Sequence, residues 1–351
     1  MTVNVLLIGS GRRIRNNFIP ALMCLTETHK ICGLYSPTKI HREKVCDKWH
    51  IAPISSLTAY SFDAIDVIVV SVSIAAVPEV LNKIIDKGKN KILVIDTPVF
   101  SSLKDFRFAI KLNAFKKVLV TEDYIGFPQF KIMRDYVTKG ELGEIEKVEL
   151  FQTGYQYHGL ALIRSFVNLR KVKNIRKIKN AENGFSYIFN FAAAAQGYLI
   201  HPYKRLDGWA YIAGSTGSII YDPGELFDYN NDPDVMKLSY QKNQDDQVTF
   251  LVDNIAVATE LQPQCFQKIK QLDIEDNSDF NIFKTCGLLD ILTAAGGGAI
   301  PNNYSLSEAL YDSAMAKLFW RNKMFPQWRM RFLLMALKVG IWIITRHKRG
   351  Y

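Results

Sequence analysis

The chain opens on an apolar, β-branched run, Val3 to Ile8, that ends in Gly9-Ser10-Gly11 and passes into a stretch of helical length through Pro20. Four further apolar runs follow, Lys30 to Leu34, Ala64 to Val72, Lys91 to Ile95 and Lys117 to Thr121, with helix-length segments between them. Runs that are apolar at successive positions suit strands covered on both faces. Their alternation with helices predicts βαβ units and a doubly wound parallel sheet over residues 1–121.

Beyond residue 121 the pattern changes. Phe130 to Gly143 reads as one helix, with Ile132, Met133, Tyr136 and Val137 on a common face and Gly140 and Gly143 as stops. From Glu146 the chain reads as strands: Val148 to Phe151, Ser186 to Ala192, Gly208 to Ala213, Ser218 to Tyr221 and Val248 to Leu251. These predict a second α/β domain, residues 122–328, built on an open, largely antiparallel sheet. Ser305 to Arg321 is expected to be helical, capped by Ser305 or Ser307 with Glu308 close behind.

A length of 351 residues with 48% hydrophobic content supports two compact cores. The formal charge of +10 is dispersed, which suits an anionic small ligand or a membrane surface as well as nucleic acid, and no nucleic-acid partner is expected. Cys24, Cys32, Cys46, Cys265 and Cys286 show neither CxxC nor metal-ligand spacing, so reduced thiols, no metal and a cytoplasmic protein are expected. The first strand begins at once, leaving no room for a signal peptide.

The tail, residues 329–351, is a separate feature. Phe332 to Thr345 is apolar except for Lys338, and it lies between Arg329 with Arg331 and the basic Arg346-His347-Lys348-Arg349. Its fourteen residues fall short of the about 20 needed to span a bilayer. Two readings stand: a helix lying in a membrane interface with Trp328 and Trp342, or one packed on the first domain or a second copy.

The chemistry-bearing motif is Gly9-Ser10-Gly11. Gly9 permits a tight strand-to-helix turn, and Gly11 has no Cβ to hold a pyrophosphate away from main-chain N–H groups at a helix start. Ile14 stands where a third glycine would complete GxGxxG, so a tight turn without a ligand is the alternative. Arg12 and Arg13 are cations at a helix N-terminus, which the macrodipole opposes unless an anion is near. At the end of the second strand no carboxylate is present to bind a ribose diol. Ser36 and Thr38 instead leave room for a 2′-phosphate that Arg12, Lys39 or Arg42 can pair with, favouring NADP(H) over NAD(H).

Several motifs in order resemble the glucose-fructose oxidoreductase, inositol dehydrogenase and rhizopine catabolism family, Gfo/Idh/MocA. They are Gly9-Ser10-Gly11 with Pro20, Ile65 to Ser73 followed by Pro78-Glu79-Val80-Leu81, and Val94-Ile95-Asp96-Thr97-Pro98. Then come Glu122-Asp123-Tyr124 with Phe127-Pro128, Gly140 to Ile145, Gly214 to Ile219 and Ser307 to Trp320. The resemblance implies a Rossmann domain joined to an α/β domain whose sheet floors the substrate site and mediates homo-oligomer contacts. It implies an NAD(P)-dependent oxidoreductase passing a hydride between nicotinamide and a sugar, nucleotide-sugar or related polyol or carbonyl substrate. It also places Ser71, Asp96 and Pro98 at the cofactor.

Two family positions are altered. Thr97 replaces the lysine of the Glu-Lys-Pro motif, and a hydroxyl supplies no charge, although it can orient a substrate. Ala161 stands where an aspartate is expected three residues after His158. His158 is either a general acid or base or the cap of a helix beginning near Gly159. Tyr124 is the favoured phenol donor, with Tyr155 and Tyr157 as substrate contacts or packing residues. Arg164, and Lys204 beside Arg205, are candidate substrate anchors, with a solvated loop pair the alternative for the latter. The alternative function is a dinucleotide-binding sensor or scaffold that has lost catalysis.

Overall fold

The computed structural model describes residues 2–100, 105, 108–179, 184–204, 208–257, 263–298 and 304–320. Residues up to Asp123 belong to a first unit. Its six strands are β1 (Val3–Ile8), β2 (His29–Tyr35), β3 (Pro53–Ile54), β4 (Val67–Val70), β5 (Ile92–Asp96) and β6 (Lys117–Thr121). They lie in the order β3-β2-β1-β4-β5-β6, and all pair in parallel. The expected parallel sheet is present, and its order reverses between β1 and β4, where open α/β sheets bind ligands. Val5 to Ile8 and Val67 to Val70 are buried, as strands covered on both faces require.

The connections of this unit carry α1 (Ile19–Cys24), α2 (Lys39–Trp49) and α3 (Val77–Ile84). Ahead of α1, Ile14–Phe18 winds as a π-helix. Ile14 is fully buried, and its Cγ1 lies 3.4 Å from where a Cβ on Gly9 would stand. A third glycine there would let helix and strand close up; with Ile14 in its place the first turn is wider than an α-helix.

The second unit begins at Tyr124 and holds a nine-stranded sheet. Its strands are β7 (Ile145–Phe151), β8 (Asn174–Lys179), β9 (Phe185–Asn190), β10 (Gln196–Ile200), β11 (Trp209–Gly214), β12 (Ser218–Tyr221), β13 (Met236–Lys242), β14 (Val248–Val252) and β15 (Ile255–Val257). The order is β15-β14-β13-β12-β11-β7-β10-β9-β8, antiparallel except that β7 pairs in parallel with β10 and β12 with β13. Four strands escape the apolar pattern. In β8 and β13 polar residues break up the apolar ones on half-exposed strands, β10 is short with Gly197 inside it, and β15 is largely exposed. The helices are α4 (Pro128–Thr138), α5 (Gln156–Phe166) and α6 (Pro263–Lys270). The helix expected to reach Gly143 ends at Thr138, because Thr138 Oγ1 bonds back to Arg134 O and Gly140 takes φ +76°.

One boundary differs from expectation: residues 122–328 do not form one contiguous domain. Residues 269–314 group with the first unit. This segment contains α7 (Asp279–Ala295), whose buried residues fall on every side and leave no amphipathic stripe to read. Asn17 Nδ2 donates to Asn281 Oδ1 (3.0 Å) and Thr285 Oγ1 (2.9 Å), and the His29 ring bonds to Leu292 O (3.0 Å), so α7 is pinned to the first unit by buried polar contacts. Then α8 (Leu306–Trp320) matches the expected late helix, with the division between units falling after Ala314; Arg321 lies outside the described residues. The tail, 329–351, also lies outside them, and among the described residues no helix is long and apolar enough to cross a membrane.

Candidate functional site

In the first unit a cleft of about 470 Å³ lies at the carboxyl ends of β1, β2 and β4. Of the residues proposed for the cofactor, Gly9, Ser10, Gly11, Arg12, Arg13, Ser36, Ser71 and Asp96 line it. Thr38 and Pro98 are not in its lining; Thr38 is exposed at the start of α2. Tyr35, Ser73, Glu79 and Lys83 also line it and are not among the proposed cofactor contacts, although Ser73 and Glu79 fall within the family-like motifs; Glu79 and Lys83 pair at 2.6 Å one turn apart on α3.

Gly9 sits where three strands converge. It takes φ +128°, its N–H donates to Tyr35 O at 2.8 Å, and a Cβ there would stand 2.0 Å from Ser71 O. No side chain fits. A Cβ on Gly11 would meet nothing within 4 Å, so the main chain there is open to the cleft. A Cβ-free cradle at a helix start facing Ser71 and Ser73 fits a dinucleotide pyrophosphate.

No carboxylate closes the end of β2. Ser10 Oγ instead donates to Ser36 Oγ (2.8 Å, buried). The three cations proposed for a 2′-phosphate stand differently. Arg42 is buried and donates to Ser36 O (2.9 Å), Lys39 pairs with Glu43 (3.7 Å), and Arg12 pairs with Asp276 (2.9 Å).

Deeper in the cleft, at the ends of β5 and β6, Arg13 is held between acids. Its Nη1 lies 2.8 Å from Asp123 Oδ2 and its Nε 3.4 Å from Asp96 Oδ1. Burial alone would lower its pKa, but Asp123 and then Asp96 outweigh this and raise it. Asp96 further accepts from Ser71 Oγ (2.8 Å) and Thr121 Oγ1 (2.7 Å). Arg13 thus answers the macrodipole with fixed carboxylates. Lys284 of α7 stands 4.0 Å from Asp123 Oδ2, with its pKa lowered chiefly by burial. It was not anticipated; the one available signal is a lone lysine inside the run 279–295.

Thr97 Oγ1 donates to Thr121 O (3.0 Å), which commits the hydroxyl proton to the main chain of β6 and leaves the oxygen as an acceptor.

In the second unit Tyr124 is 4% exposed, stacks on His158 (centroids 4.7 Å, 17°) and on Phe127 (4.8 Å), and shares a hydrogen bond with the Tyr203 hydroxyl (2.9 Å). Tyr157 packs on His158 (4.1 Å) and Tyr155 on Tyr203 (5.4 Å). Tyr124, Tyr155, Tyr157 and His158 are therefore gathered into one aromatic patch, together with Tyr203, which the sequence did not single out. His158 does not cap α5, since that helix starts at Gln156 with Tyr155 at the N-cap. Arg164 is a correction: it is fully buried, donating to Arg170 O (3.0 Å) and Leu169 O (2.8 Å) after α5, and cannot anchor a substrate. Ala161 is likewise fully buried, and Lys204 is exposed.

Residues 3–124 match the GFO_IDH_MocA family model, an oxidoreductase family with an NAD-binding Rossmann fold. No curated protein matches the sequence significantly. Among solved structures, a putative myo-inositol dehydrogenase from Sinorhizobium meliloti aligns with TM-score 0.63 at 13% identity, covering 90% of this chain and 95% of that one. An oxidoreductase from Agrobacterium radiobacter in complex with NAD+, L-tartaric acid and magnesium aligns with TM-score 0.61 at 13% identity, with the same coverages. A 3-ketoreductase from Actinomadura kijaniata in complex with TDP-benzene and NADP aligns with TM-score 0.60 at 12% identity, covering 90% of this chain and 96% of that one. At such identities these likenesses show the fold.

Proposed function

We propose that this chain, whose residues 3–124 belong to the Gfo/Idh/MocA oxidoreductase family, transfers a hydride between a nicotinamide dinucleotide and a sugar, nucleotide-sugar or related polyol or carbonyl substrate. The observation that carries this reading is the cleft around Gly9 to Arg13, Cβ-free where a pyrophosphate would approach. When bound, the cofactor would supply or accept the hydride. Gly9 to Gly11 and Ser71 to Ser73 are the residues that would hold it. The missing acid at the end of β2 favours NADP(H), with NAD(H) as the alternative, and solved relatives in the fold carry either cofactor.

Proton movement falls to the second unit. Tyr124 and His158 are the side chains assigned to hold or pass the proton, and the Tyr203 hydroxyl shares a hydrogen bond with the phenol of Tyr124. Homo-oligomer contacts through the nine-stranded sheet and a cytoplasmic location, with the tail touching a membrane, belong to the same proposal.

The commitment of Thr97 to the main chain favours a second reading, a dinucleotide-binding sensor without turnover. One titration followed by a substrate screen separates the two. Purified protein is titrated with NADPH and NADH, following nucleotide fluorescence, beside Gly11→Asp, which sets a carboxylate in open space without disturbing packing. Binding in the native protein that is lost in Gly11→Asp is expected; no binding of either nucleotide overturns both readings. Turnover of a sugar or nucleotide-sugar that falls in His158→Ala and Tyr124→Phe supports the enzyme. Binding without turnover across such a panel supports the sensor.

A further inference from the structure

We infer that the Glu79–Lys83 pair on α3 sets the choice between NADP(H) and NAD(H), with Lys83 as the anchor of the 2′-phosphate. This rests on the dinucleotide reading above and deepens it, since the site is the same cleft. A 2′-phosphate brings about two negative charges to the carboxyl end of β2. It therefore needs a cation that lines the cleft, is open to solvent and can change partner. The cations that follow β2 in sequence do not qualify. Lys39 is not in the lining, and Arg42 is buried on Ser36 O.

Among the described residues the cations that line the cleft are Arg12, Arg13 and Lys83. Arg13, with its side chain 16% exposed, is held between Asp123 and Asp96, so its charge is already neutralised inside the fold. Arg12 pairs with Asp276, an acid 11% exposed that Ser278 Oγ fixes at 2.6 Å, so that partner stays in place. Lys83 differs. Its side chain is 38% exposed, and its partner Glu79, one turn back on the same helix, is 70% exposed. A pair of this kind is weak in water and opens readily when a stronger anion arrives. Lys83 also lies toward the β2 end of the cleft. Tyr35, the last residue of β2, lines the cleft with it, and its hydroxyl adds to a lysine pKa raised first by the hydrogen bond to Glu79. At that end Ser10 Oγ and Ser36 Oγ bond to each other, so a small polar floor stands there without an acid to repel a phosphate. The one opposing charge from α3 is Glu79 itself, which tempers the affinity that Lys83 supplies.

The test is calorimetric titration of the full chain with adenosine 2′,5′-bisphosphate and with 5′-AMP, which differ in the 2′-phosphate alone, beside NADPH and NADH. In the native protein the member of each pair that carries the 2′-phosphate is expected to bind about tenfold more tightly. Lys83→Met should weaken that member and bring each pair within about twofold, whereas Glu79→Gln should tighten it and widen the gap. Both side chains are exposed, and circular dichroism checks the fold of each variant. Equal binding within each pair by the native protein overturns the inference and leaves the dinucleotide reading standing. A gain that survives Lys83→Met, or that is lost instead in Lys39→Met, does the same. Binding of none of the four nucleotides overturns the dinucleotide reading, and this inference with it.

Discussion

Around Gly9 the first unit is marked by main-chain convergence and buried charge, whereas around Tyr124 the second unit is marked by packed rings with a hydroxyl pair among them. At Gly9 three strands meet with no space for a single carbon, and behind it Asp96 takes bonds from Ser71 and Thr121 while pairing with Arg13. At Tyr124 the contacts are ring faces 4 to 5 Å apart, which small shifts preserve. The first arrangement fixes positions tightly and fails abruptly when altered. The second tolerates change and loses little when one atom is removed.

The largest break expected is Gly9→Ala. A positive φ for a residue with a Cβ adds to a 2.0 Å approach on Ser71 O, and together these cost about 3–5 kcal/mol of stability in urea denaturation. A loss below about 1 kcal/mol would mean that the turn relaxes freely, and the contrast would disappear. Asp123→Ala comes next. It leaves Arg13 and Lys284 facing each other without their shared acid, with a loss of about 3 kcal/mol expected in the same assay.

How much of this was legible in the sequence depends on whether a residue acts within its own segment. The strand Val5 to Ile8 and the turn Gly9 to Gly11 carry their signals locally, so the parallel sheet and eight cleft residues could be read directly. Arg13 could be placed in the cleft but not paired, because Asp96 and Asp123 lie 83 and 110 positions further along. Arg164 looked available because its charge is visible in sequence, while the loop carbonyls that hold it, Leu169 and Arg170, are not. Helix α7 escaped because a helix buried all round has no stripe, and β8 and β13 because they hold no continuous apolar run, although Met236, Leu238 and Tyr240 of β13 do carry a readable apolar-polar alternation.

A smaller test is pH dependence in the second unit. Burial, with Lys177 nearby, lowers the His201 pKa to about 4 from an ordinary 6.5. The unfolded chain therefore takes the proton first as the pH falls. The stability is fully present above about 6.5 and is lost as the pH drops toward 4, by about 2 kcal/mol once partial solvent access is allowed for. Urea denaturation at pH 7 and pH 4 should show this loss in the native protein and a flatter dependence in His201→Gln. Equal slopes would assign acid sensitivity elsewhere, with the buried His29 of the first unit, also lowered by burial, the next residue to test.

The smallest effect expected is at the hydroxyl pair itself. Tyr124→Phe and Tyr203→Phe each keep the ring and remove one oxygen, so the stacking on His158 and against Tyr155 persists in either variant. Each should cost about 1 kcal/mol, and the double variant should cost no more than the worse single one, giving a coupling energy of about 1 kcal/mol in a double-mutant cycle. Additive losses would mean that the two hydroxyls act through other partners and that the patch is held by separate bonds. A coupling well above 2 kcal/mol would mean that the pair is as stiffly fixed as the Asp96 cluster, and the two regions would then differ in composition but not in rigidity.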